Sequence, residues 1–140
     1  MEIKEISKQI HEIAVSHGFW EDGEDILTQV TTGDMNTVRS MILAQKLALV
    51  HSEVSEALEA DRKNRYADLI GKFEEGHESY LDESDEWFKW NIKDTVEDEI
   101  ADAVIRLFDI AVHLKMDLEW HIAKKVQYNA GREYKHNKSY

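Results

Sequence analysis

Residues 99–113 read EIADAVIRLFDIAVH. Placed on a helix at about 100° per residue, Glu99, Asp102, Arg106, Asp109 and His113 fall within about 80° of one another. Every other position in the stretch is Ile, Ala, Val, Leu or Phe. A helix that is apolar nearly all round is a buried one. The pattern therefore predicts a core helix with a single polar stripe, and that stripe must face something that compensates it. Thr95 opens this helix, with Asp98 three residues on at the spacing of a capping box, and residues 112–115 close it.

Four further segments also read as helical. Ile3, Ile6, Ile10 and Ile13 recur at three- and four-residue steps and predict a first helix over residues 2–17, stopped by Gly18. Residues 19–33 hold two glycines and a run of charges and read as a loop. A second helix starts at a cap on Asp34 or Asn36 and runs to Arg62 or Asn64. Its main apolar stripe is Leu43, Leu47, Val50, Val54, Ala57 and Leu58, flanked by Ile42, Leu49, Glu53, Glu56 and Ala60. A short amphipathic helix covers residues 84–91 and carries Trp87, Phe88 and Trp90. The last runs from a cap on Asp117 to about Ala130, with Gly131 as its stop. Residues 65–94, interrupted by Gly71 and Gly76, read as an excursion that serves as a lid or an oligomer contact. The aromatics there belong either to a core or to a ligand-stacking surface. No alternating run predicts a strand. The fold class expected is all-α, a bundle of four to five helices in a single domain over residues 1–140.

Composition narrows the chemistry. The chain has 140 residues, no proline, six glycines and no cysteine, which suits long helices and excludes disulfides and thiolate metal sites. No stretch approaches the about 18 apolar residues of a membrane span, and MEIKEISKQI lacks the pattern of a signal peptide. A cytoplasmic protein with no membrane partner is the expectation. The net charge of −12 argues against a nucleic-acid polymer as ligand. Residues 120–140 alone carry five Lys/Arg against one acidic residue, a local +4. That tail suits a small anionic ligand bound together with cations, or is simply a solvated terminus.

The acidic residues of the two central helices are the candidate chemistry. Glu53 and Glu56 lie one turn apart, as do Glu99 and Asp102, each pair among apolar neighbours. Like charges at that spacing repel, and buried carboxylates cost several kcal/mol each unless paired or metal-bound. Four carboxylates on two helices suit hard divalent cations; two Mg²⁺ ions would balance them and bridge a triphosphate. The alternative is an ordinary charged face, in which Asp102 pairs with Arg106 and Asp109 with His113 at i,i+4. Lys125, Asn129 and Arg132 share one face of the last helix, with Lys135 and His136 beyond, and can grip phosphates and a base or sugar hydroxyl. Two Glu-x-x-His spacings, Glu74/His77 and Glu133/His136, match the di-iron bundle pattern, but neither lies on an apolar helix face. A non-enzymatic helical module with buried ion pairs between subunits is the remaining reading.

The segments HSEVSEALEADRKNR and DTVEDEIADAVIRLFDIA together resemble the MazG-like all-α nucleotide pyrophosphohydrolases, whose signature is Glu-x-x-Glu on one helix and Glu-x-x-Asp on another. The tail KKVQYNAGREYKH is similar to the Lys…Tyr-Asn-x-x-Arg…Lys-His tail of many members, and HGFWED to the segment preceding their first metal-binding helix. Residues 65–94 match least. The resemblance implies Mg²⁺-dependent cleavage of a (deoxy)nucleoside triphosphate to the monophosphate and pyrophosphate, with Mn²⁺ as a substitute ion and nucleotide-pool control as the role. It makes Glu53, Glu56, Glu99 and Asp102 the metal ligands. Lys125 and Asn129 become substrate contacts, Arg132 a phosphate contact, and Trp20 either a stacking residue for the base or a core or interface residue. It also implies a homodimer or a tetramer whose association completes the core. Many members have Glu-Glu-x-x-Glu on the first motif helix, and here Ser52 stands where the first Glu would be. The general base is then Glu53, Glu56 or Glu59.

Overall fold

The computed structural model describes residues 2–21, 35–67 and 85–131. Within them the fold is all-α: five helices and no strand, with 81% of these residues helical. They are α1 (Ile3–Ser16), α2 (Met35–Arg62), α3 (Asp85–Asn91), α4 (Val96–His113) and α5 (Leu118–Ala130). No described helix is long and apolar enough to cross a membrane. Packing divides the chain within α4: Met1–Ile26 and Phe108–Tyr140 form one compact unit, and Leu27–Leu107 the other.

The helix ends follow the stop and start signals of the sequence. α1 closes on Gly18 at φ 78°, with Phe19 N–H donating to Ala14 O at 3.1 Å and Gly18 N–H to Val15 O at 3.0 Å. This pair of bonds needs a left-handed residue, and glycine adopts that conformation without a Cβ clash. α2 ends the same way on Asn64 at φ 54°, where Arg65 N–H reaches Ala60 O and Asn64 N–H reaches Asp61 O. At the start of α4, Asp98 N–H donates to Thr95 Oγ1 (3.3 Å), while the Asp98 carboxylate accepts from Asp94 N–H (2.9 Å). The box therefore closes one residue earlier than the sequence spacing suggests. Asp117 caps α5 by accepting from Trp120 N–H at 3.0 Å.

α4 ends on Lys115, left-handed at φ 55°, with Met116 N–H bonded to Ala111 O and Lys115 N–H to Val112 O. A side chain in this conformation costs about 1–2 kcal/mol, and glycine gives back part of that gain as unfolded-state entropy. Lys115→Gly is expected to raise unfolding free energy by about 0.5–1 kcal/mol, read from urea denaturation midpoints.

Burial runs against the apolar pattern in two places. On α2, Glu53 and Ala60 of the flank are buried, with Glu56 and Leu49 exposed, whereas Leu47, Val54 and Leu58 of the main stripe are exposed. On α4, Glu99 and Asp109 of the polar stripe are buried and Asp102 is exposed, while Ile100, Val104, Ile105 and Leu107 are 41–54% exposed. The all-round burial expected of α4 is therefore not met among the described residues.

Candidate metal centre

Glu53 stands midway along α2 and Glu99 and Asp102 on the first two turns of α4, all within the Leu27–Leu107 unit. The end of α2 is tied to the start of α4 by backbone: Val96 N–H donates to Arg65 O at 3.0 Å, and Ala67 N–H to the Glu97 carboxylate at 2.9 Å. This tie fixes the register in which the two acidic segments meet. One carboxylate oxygen from each of Glu53, Glu99 and Asp102 lies within 4.8 Å of the others. Glu53 and Glu99 are 6% exposed each, and Asp102 is open to solvent.

Two of the three carboxyls, Glu99 and Asp102, are costlier to ionise than in free solution. The Glu99 carboxyl is held above its ordinary 4.5, first by burial and then by the charges of Glu56, Glu53, Asp98 and Asp102. The Asp102 carboxyl is held above 3.8, first by lost solvation and then by Asp98, Glu53 and Glu56, with Arg106 pulling the other way. Among the described residues the cation bonded into the trio is Arg106, whose Nε donates to Glu53 Oε1 at 2.6 Å. Its ion pair thus runs across to α2, and the Asp102–Arg106 pairing that helix spacing offers gives way to it.

This donor set suits a hard divalent cation. All three ligands are carboxylate oxygens, with no histidine among them, and oxygen-only sets favour Mg²⁺, Ca²⁺ or Mn²⁺ over zinc or copper. Around an octahedral Mg²⁺ adjacent oxygens stand about 3.0 Å apart and opposite ones about 4.2 Å, so three oxygens spread within 4.8 Å must draw together to hold one ion directly or hold it through its waters. Arg106 engages one oxygen of Glu53, and a carboxylate has two.

The other sequence candidates lie elsewhere. Glu56 is exposed and outside the trio, yet its charge acts on Glu99. Glu59 is exposed and paired with Lys63 (3.3 Å) and Arg62 (3.5 Å). Lys125 and Asn129 are exposed on α5, in the other compact unit, with the Lys125 ammonium 5.3 Å from the centre of the Tyr128 ring. Trp20 is buried in that same unit, stacked on His113 at 3.8 Å between ring centroids. Its indole N–H donates to both oxygens of Asp109 at 3.0 Å, and His11 Nδ1 lies 2.5 Å from Asp109 Oδ1. The Asp109 carboxylate thus serves α1 and Trp20, contacts some ninety residues distant that no local spacing announces. Arg132, Lys135, His136, Glu74, His77 and Glu133 lie outside the described residues, as does most of the 65–94 excursion.

No protein-family model matches the chain, and neither a curated protein nor a solved structure does.

The raised carboxyl groups make stability depend on pH in a defined direction. A carboxyl whose pKa is higher folded than unfolded favours the fold while protonated and loses that contribution as pH rises through the folded value. Without divalent ions, the stabilising contribution of Glu99 and Asp102 is full below their ordinary values of 4.5 and 3.8 and declines above them. A bound cation favours the ionised forms. The rise in Tm on adding MgCl₂ is therefore expected to be small near pH 4 and to grow towards neutral pH, followed by differential scanning fluorimetry across the range.

Proposed function

We propose that this chain is a Mg²⁺-dependent hydrolase of the MazG-like kind, cleaving a (deoxy)nucleoside triphosphate to the monophosphate and pyrophosphate. The observation that carries the reading is the Glu53–Glu99–Asp102 trio: three carboxylate oxygens within 4.8 Å, two of the side chains buried, with a single arginine bonded among them. A protein with no use for a cation gains nothing from holding these charges together. Bound there, Mg²⁺ would neutralise the phosphates and polarise the phosphorus under attack. Glu53, Glu99 and Asp102 would hold it. Glu56, one turn from Glu53 and beside Glu99, is placed to orient the attacking water and take its proton. The water oxygen bonds to phosphorus as the bond to the leaving phosphate oxygen breaks. The resemblance also implies substrate contacts at Lys125, Asn129 and Arg132; Trp20, buried and stacked on His113 with its indole N–H on Asp109, has the core role instead.

The test is incubation of the purified protein with each common nucleoside and deoxynucleoside triphosphate and MgCl₂. Release of monophosphate and pyrophosphate in equal amounts is expected, and EDTA should abolish it. If no triphosphate is cleaved and calorimetry detects no Mg²⁺ binding, the reading is wrong.

One observation favours a second reading, a helical module that associates through its faces. Leu47, Val54 and Leu58 on α2, Val104 and Ile105 on α4, and Trp120 and Val126 on α5 are exposed. Exposed apolar residues in such number on consecutive helices suit association with further copies. The two readings are compatible, since a homodimer or tetramer can complete the core of a hydrolase. Sedimentation analysis reports the association, and Mg²⁺-dependent nucleotide binding separates an enzyme from a module.

A further inference from the structure

Beside the acidic trio, within the same compact unit, lies an open cavity of about 210 Å³ whose walls include Glu56, Glu99, Lys63 and Arg65. We propose that Lys63 and Arg65 form a phosphate clamp that holds the pyrophosphate end of the substrate in this cavity. The proposal rests on reading the trio as a magnesium site, and it assigns to these two residues a role that neither the sequence pattern nor the resemblance gave them.

Size comes first. Pockets that enclose a whole small molecule run to about 300–1,000 Å³. A cavity below that range takes part of one, and the part that belongs next to magnesium-binding carboxylates is a phosphate chain. Charge comes second. Four carboxylates line the cavity, Glu56, Glu59, Asp94 and Glu99, and each repels a phosphate, so cations beyond the metal must meet it; Lys63 and Arg65 are the cations in the same lining. Both are about half exposed.

Their placement is fixed by backbone. Lys63 and Arg65 flank Asn64, whose left-handed conformation turns the chain at the end of α2. Arg65 is held at both of its backbone groups, donating to Ala60 O at 2.9 Å and accepting from Val96 N–H at 3.0 Å. Their present partners are acidic side chains at the edge of the same cavity: Lys63 with Glu59 at 3.3 Å, Arg65 with Asp94 at 3.5 Å through one terminal nitrogen. Exposed pairs of this length contribute little to stability. A guanidinium has five N–H donors in a fork that matches phosphate oxygens. Exchanging a loose carboxylate contact for a phosphate therefore costs little and gains charge-assisted bonds.

Isothermal titration with inorganic pyrophosphate in saturating MgCl₂ tests the clamp. The wild-type chain is expected to bind, and Lys63→Gln and Arg65→Gln each to weaken binding by about tenfold. Mg²⁺ affinity measured without pyrophosphate should not fall in either variant. Lys93→Gln is the control: Lys93 also pairs with Asp94, at 2.9 Å, but does not line the cavity. It removes the same charge and should leave pyrophosphate affinity within about twofold, well short of the loss of one charge-assisted bond. Arg65→Lys, which keeps the charge without the fork, should fall between wild type and Arg65→Gln, and serves in its place if the glutamine variant loses helical circular dichroism. If wild type binds magnesium and pyrophosphate but the Lys63 and Arg65 variants bind equally well, the clamp is wrong and the metal site stands. An equal loss in Lys93→Gln would mean a diffuse field rather than a clamp and also overturns it. Absence of any Mg²⁺ binding to wild type would remove the metal site and the clamp together.

Discussion

Glu99→Gln is expected to inactivate the protein and, in the absence of magnesium, to make it more stable. Both effects have one origin. Glu99 is 6% exposed and surrounded by the charges of Glu56, Glu53, Asp98 and Asp102, so its ionised form is disfavoured by burial and repulsion alike. Glutamine keeps the shape and removes the charge. Near neutral pH the folded state is relieved of a destabilising anion, and without metal the variant should melt above wild type. The same change removes one of three carboxylates within reach of a cation. Losing even an outer-shell partner of a metal ligand costs about 10–100-fold, so losing a ligand should lower pyrophosphate release by more than about 100-fold. The Tm gain that MgCl₂ gives wild type should shrink or disappear. Thermal melts with and without MgCl₂, paired with the turnover assay, read all three effects. Retained activity would remove Glu99 from the site. A lower metal-free Tm would mean that the charge is held by structure rather than kept for a cation.

The helices were legible because their signals are local. Isoleucines at three- and four-residue steps, Gly18, Thr95 with Asp98, and Asp117 with Gly131 each act within about a turn of the chain, and each stands at or within a residue or two of the boundary it marked. The acidic site was half legible. Spacing pointed to four carboxylates on two helices, and the fold draws three of them together while Glu56 stays exposed outside the trio, its charge still acting on Glu99. Residues three apart on a helix differ by about 60° in direction, and the rotation of α2 against α4 decides which of Glu53 and Glu56 meets the pair on α4. That rotation depends on ties such as Val96 to Arg65, which no single-helix pattern contains. Arg106 illustrates the same limit. Helix spacing offers it Asp102 four residues away, yet it bonds to Glu53, fifty-three residues away, because a buried carboxylate gains more from an arginine than an exposed one does. Apolar patterning marked the faces of α2 and α4 as hydrophobic but did not rank them, since an apolar face reads the same in sequence whether it is buried or exposed.

Asp109→Ala is expected to be among the most destabilising single substitutions in the other compact unit, by about 2–4 kcal/mol. The Asp109 carboxylate is buried and accepts the indole N–H of Trp20 with both oxygens, each at 3.0 Å, while Oδ1 also meets His11 Nδ1 at 2.5 Å. Alanine would strip the buried donor of Trp20 of this partner, and an unsatisfied buried donor costs about 1–3 kcal/mol by itself. It would also release His11, which links α1 to the last turns of α4 and packs edge-on to Trp20 at 5.8 Å. Trp20→Phe keeps a ring to face His113 but removes the N–H and part of the buried indole, so it should cost about 2–3 kcal/mol from the lost bond and the cavity together. Urea denaturation of the two single variants and of the double variant closes a cycle. Because both changes break the same bond, the double variant should be less destabilised than the sum of the singles. Strict additivity, or an Asp109→Ala loss below about 0.5 kcal/mol, the range of ordinary surface substitutions, would mean that this carboxylate does not hold Trp20 and His11 in place.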